Sequence, residues 1–77
     1  MNIERLIAMA NDISHYFAAE PDKAAGAASV ADHLKRFWEP GMRRQIVAHL
    51  HAGGEGLEPL TKVAIERLAQ IDPKAMS

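Results

Sequence analysis

Residues 30–44 read Val30-Ala31-Asp32-His33-Leu34-Lys35-Arg36-Phe37-Trp38-Glu39-Pro40-Gly41-Met42-Arg43-Arg44. Up to Trp38 the stretch carries a helical stripe. Val30, Ala31, Leu34 and Trp38, with Ala27 before them, share one face at spacings of three and four. Glu39-Pro40-Gly41 then breaks it, because the residue before a proline is pushed out of the helical region. Pro40 itself suits the first turn of a new helix, where its missing N–H costs nothing. Two helices meeting at a sharp corner are the unit from which the rest of the chain can be read.

Upstream, Asp22 is a suitable N-cap for the helix that ends at Trp38, so that helix spans about 22–38. Its first half is rich in alanine, which lets a second helix approach closely, while Gly26 weakens it by about 1 kcal/mol relative to alanine. Before Pro21 lies another stripe, Ile3, Leu6, Ile7, Ala10, Ile13 and Phe17, capped by Asn2 and helped by Glu4 in the first turn; it predicts a helix over about 2–19. Downstream, Met42, Ile46, Val47 and Leu50 predict a short helix over 40–52, closed by Gly53-Gly54. Leu57, Leu60, Val63, Ala64, Leu68 and Ile71 predict a fourth over 57–71, with Pro59 tolerated in its first turn. Asp72-Pro73 ends it, and 72–77 reads as a frayed tail. No period-two alternation or hairpin dipeptide occurs, so the expected fold is all-α: one domain over 1–77, a compact small bundle of four helices.

Composition narrows the chemistry. Seventy-seven residues make a small core, which disulfides, a metal or a partner commonly reinforces. The chain has no cysteine, which removes disulfides, thiolate metal sites and thiol catalysis. A net charge of -1 lacks the positive balance of a nucleic-acid binder. No apolar run approaches the roughly 20 residues that cross a bilayer, and Met1-Asn2-Ile3-Glu4-Arg5 does not read as a signal peptide. The expected compartment is the cytoplasm, with no membrane partner.

Catalytic and metal patterns are weak. His49 and His51 stand two apart, on different sides of a helix, whereas helical zinc pairs use spacings of three or four. No carboxylate pair sits within an apolar run, Ser14 and Ser29 lack a nucleophile motif, and Gly53-Gly54-Glu55-Gly56 lacks the lysine of a phosphate loop. No catalytic, cofactor or metal residue is expected. The strongest local signal is the basic and aromatic cluster at the corner, where Lys35, Arg36, Arg43 and Arg44 surround Phe37-Trp38. Tryptophan and arginine dominate interface hot spots, so Arg36, Phe37, Trp38, Pro40, Met42, Arg43, Arg44 and His49 are the candidate partner-binding residues. Two other readings remain open: a helix-turn-helix-like nucleic-acid binder using Arg43 and Arg44, and a self-associating helical module that pairs its alanine-rich face, giving a homodimer when free.

Three blocks carry a family resemblance. They are Ile3 to Ile13, Val30 to Arg44, and Ala48-His49-Leu50-His51-Ala52-Gly53-Gly54-Glu55-Gly56-Leu57-Glu58-Pro59-Leu60. In order and spacing these resemble the delta subunit of NAD-dependent, molybdenum-containing formate dehydrogenases, from Asn2 to about Leu68. The resemblance implies a non-catalytic accessory or assembly subunit that binds the large catalytic subunit. It implies no cofactor on this chain; molybdopterin, iron–sulfur clusters, flavin and NAD would belong to the partners in the complex. One departure is Gly41, where the family pattern favours arginine.

Overall fold

The computed structural model describes residues 1–75. Its elements, in chain order, are α1 (Ile3–Phe17), α2 (Lys23–Phe37), α3 (Pro40–His51), α4 (Pro59–Ile71) and a final 3-10 turn, Pro73–Ala75. The four-helix all-α bundle is therefore present, with no strand among the described residues.

The caps follow the residues that suit them. Asn2 accepts a hydrogen bond from the Glu4 N–H at 2.7 Å, and Asp22 accepts one from the Ala24 N–H at 3.0 Å. α3 and α4 instead open on a proline with no side-chain cap, the fixed φ of Pro40 and Pro59 doing the preorganising. α3 ends on paired bonds, Gly53 N–H to the Leu50 carbonyl and Gly54 N–H to the His49 carbonyl, with φ of 125° and 67° at the two glycines. This bonding pattern requires backbone that only glycine enters cheaply. The turn runs on to Gly56, also at positive φ, so α4 starts at Pro59 rather than at Leu57. Leu57 is nevertheless buried, packing inward from the loop.

α2 packs most extensively against α4. Its alanine-rich stripe, Ala27, Val30, Ala31 and Leu34, is buried together with Ala64, Ile65 and Leu68 of α4. The face that the sequence leaves open for a second copy is thus covered by the chain's own fourth helix. Gly26 lies beside the end of α1, where an added Cβ would stand 3.2 Å from the Phe17 carbonyl oxygen. Its cost in helix propensity is offset by the close approach it allows.

Two expectations at the corner and tail are corrected. Trp38 does not face outward: it ends α2 in extended conformation, only 6% exposed, and joins the core. Its place on the stripe with Ala27, Ala31 and Leu34 is what turns it inward. The segment 72–75 is not frayed. Asp72 is 3% exposed, Ala75 is equally buried, and the final turn packs on α3. What holds it is Arg43, buried on α3 along with Ile46 and Val47, which donates through Nη1 to Asp72 Oδ2. Residues 76 and 77, the last of the expected frayed tail, lie outside the described residues.

Candidate docking face

The eight residues singled out at the corner divide between inside and outside. Trp38 and Arg43 face the interior, and Met42 is half-buried against the core. Arg36, Phe37, Pro40 and Arg44 are exposed. Arg36 makes a 3.6 Å ion pair with Asp32 one turn earlier, a solvated contact of small energetic weight. His49 is half-buried, with its Nε2 2.7 Å from the Glu55 carbonyl oxygen.

Three of the four histidines face the α3–α4 connection or α4. Besides His49, His15 on α1 stands 2.7 Å from Glu58, and His51 stands 3.8 Å from Glu66. Asn11 clamps the same connection with both ends of its amide: Nδ2 donates to the Gly56 carbonyl at 2.9 Å, and Oδ1 accepts from the Glu58 N–H at 3.1 Å. The glycine-rich stretch is a fastened turn. Deeper in, Thr61 Oγ1 donates to Ser14 Oγ at 2.8 Å, joining α4 to α1 in the core. Among the described residues no group of three or more His, Asp and Glu side chains could hold a metal ion, and no helix is long and apolar enough to cross a membrane.

His33, the fourth histidine, belongs to a different surface. It stands 6.4 Å from Phe17 and 4.7 Å from Phe37, ring centre to ring centre, and Phe17 stands 5.0 Å edge-on from Tyr16. The four rings form a continuous row from the end of α1 to the end of α2. Its two ends are open: Tyr16 is 80% exposed and Phe37 69%. Ile13 and Phe17, half-buried on the core, form its floor. Aromatic side chains bury roughly 150–250 Å² each, so the exposed parts of these two rings alone amount to roughly 300 Å². Single exposed apolar residues are ordinary; the largest apolar patch on a typical monomer is about 300–600 Å² and often functional, which makes this face the candidate interaction surface.

Of this row the sequence reading found only Phe37. Tyr16, Phe17 and His33 were missed, although a signal existed. Tyr16 falls off the apolar stripe of α1, and His33 and Phe37 stand one turn apart on a side of α2 that its core stripe does not use.

The class these features define is a small all-helical protein whose internal polar groups fasten its helices and whose aromatic face is left open. The match that places it is a family model, described as NADH-dependent formate dehydrogenase delta subunit FdsD, which covers residues 5–65. The chain belongs to that family. No curated protein and no solved structure matches it.

Proposed function

We propose that the chain is a non-catalytic accessory subunit of a molybdenum-containing, NAD-dependent formate dehydrogenase and that it binds the large catalytic subunit through the aromatic face. The family match over residues 5–65 carries the reading. The open row of Tyr16, Phe17, His33 and Phe37 supports it, flanked at the corner by exposed Arg36 and Arg44. A standard interface buries about 800 Å² per side, and the exposed aromatic area supplies a substantial part of that. In this reading the protein works in the cytoplasm, carries no cofactor, and leaves molybdopterin, iron–sulfur, flavin and NAD chemistry to its partners.

The nucleic-acid alternative loses one of its two named side chains, because Arg43 is committed to Asp72 inside the fold while Arg44 stays exposed. The self-association alternative loses the alanine-rich face to α4.

The test is size-exclusion co-elution of the purified chain with the isolated catalytic subunit. The wild type should co-elute, and a Tyr16→Ser, Phe37→Ser double variant with an unchanged helical circular-dichroism spectrum should not. A double variant that co-elutes as well as the wild type would sink the assignment of this face.

A further inference from the structure

Beside the aromatic row lies a cleft lined by Asp12, Ile13, Tyr16, Phe17 and His33. Asp12 is its one acidic lining residue. Asp12 is exposed and its carboxylate makes no hydrogen bond or ion pair among the described residues, and the His33 ring makes no hydrogen bond there either. A carboxylate presents only acceptors, whereas the His33 ring and the Tyr16 hydroxyl can donate as well as accept. Tyr16 and Phe17 present ring faces and edges. No lysine or arginine lines the cleft. Along α1 the preceding basic residue, Arg5, stands seven positions earlier, about 10 Å along the helix axis.

One carboxylate beside aromatic faces, in a notch with an apolar floor, suits a cationic side chain that is also flat. A guanidinium is planar, carries five N–H donors, stacks on aromatic rings and pairs with a carboxylate. Its weak hydration also lets it enter a partly apolar cleft at lower cost than an ammonium. We infer that the aromatic face receives an arginine of the catalytic subunit, seated on Tyr16 and paired with Asp12. The inference rests on the docking reading above and adds to it the chemistry of the partner. The aromatic row supplies contact area, and the unpaired Asp12 carboxylate supplies charge selection. A partner presenting a carboxylate at this point would be repelled.

The experiment measures the dissociation constant of the full chain for the isolated catalytic subunit. Asp12→Asn should weaken binding about tenfold and Asp12→Lys about a hundredfold, while Glu66→Gln on α4 leaves it unchanged. Asp12 is exposed, so these variants should keep the wild-type helical spectrum and melting temperature. If Asp12→Lys binds like the wild type while the Tyr16→Ser, Phe37→Ser variant fails, the face docks without a cation and the inference is overturned alone. If the wild type does not bind the catalytic subunit, the docking reading falls and takes the inference with it. A carbodiimide cross-link from Asp12 to the partner marks a lysine amine, since a guanidinium does not form that amide, and overturns the arginine. A free chain that sediments as a dimer, and loses the dimer on Tyr16→Ser, overturns the proposal in favour of a second copy.

Discussion

Phe37 and Trp38 are neighbours in the chain and end in opposite environments. Trp38 turns into the corner between α2 and α3, close in sequence to Arg43, whose buried pairing with Asp72 draws the final turn onto α3. Phe37 turns outward and closes a row of rings that begins at Tyr16. The inner corner is covered and holds a buried ion pair, and the outer face has its rings edge-on or tilted against one another but uncovered. Side chains of the same chemical kind therefore serve folding on one side of the helix and remain available on the other. A residue-type argument for hot spots cannot separate the two, because it weighs tryptophan and arginine without knowing which way they point.

The largest expected effect lies in the inner corner. Arg43→Ala should destabilise the fold by about 3–5 kcal/mol, because it strands the Asp72 carboxylate in a buried position. A typical domain has roughly 5–15 kcal/mol in total, so chemical denaturation should show the variant close to unfolding at room temperature. The double variant Arg43→Met, Asp72→Leu should recover most of that loss. Its recovery is the sharper result, since it separates the cost of an unpaired charge from the net worth of the pair. The pair is also incomplete: Arg43 Nε has no partner among the described residues, which lowers what its removal can cost. Failure of the double variant to recover would mean that the corner depends on the ion pair itself.

Next in size is Trp38→Ala, expected to cost about 3 kcal/mol through lost burial and the cavity left beneath α2. Thermal denaturation followed by circular dichroism would report it, at roughly 4–8 °C per kcal/mol for a domain of this size. A variant that melts like the wild type would place Trp38 outside the core and return it to the docking face.

The four helices were legible because their signals are local. Stripes at three and four, Asn2 and Asp22 at N-caps, prolines at first turns and glycines after the last turn each act within a few residues. The tail was not legible, since the contact that anchors it joins Arg43 to Asp72 across 29 positions and no local pattern encodes it. Trp38 was legible in one way and misread in another. The stripe already put it on the buried face, while the hot-spot argument drew it outward. The aromatic row was hidden for a third reason. Its rings come from two helices, and only the packing of α1 on α2 brings Phe17 to His33.

A smaller effect is expected at Ser14 and Thr61, which lie inside but are polar. Thr61→Val should cost about 1–3 kcal/mol, because it leaves the Ser14 hydroxyl buried without its partner. Ser14→Ala combined with Thr61→Val should lie nearer the wild type than Thr61→Val alone, since both hydroxyls are then gone. Urea denaturation of the three variants gives the coupling directly. Additive losses would show that the two hydroxyls do not act as a pair.

The smallest effect on stability is expected where the effect on binding is greatest. Tyr16→Ser and Phe37→Ser remove rings that are mostly in water, so each should shift unfolding by no more than about 0.5 kcal/mol. Phe37→Ser also removes the partner that the His33 ring leans on, and it should be the costlier of the two. If both variants unfold like the wild type while losing the catalytic subunit, the outer face serves binding and the inner corner serves folding, each without the other. If Phe37→Ser instead destabilises the fold as strongly as Trp38→Ala, the row of rings is an outlying part of the core. Its exposure would then reflect the small size of the chain, in which two helices cannot cover every ring they bring together.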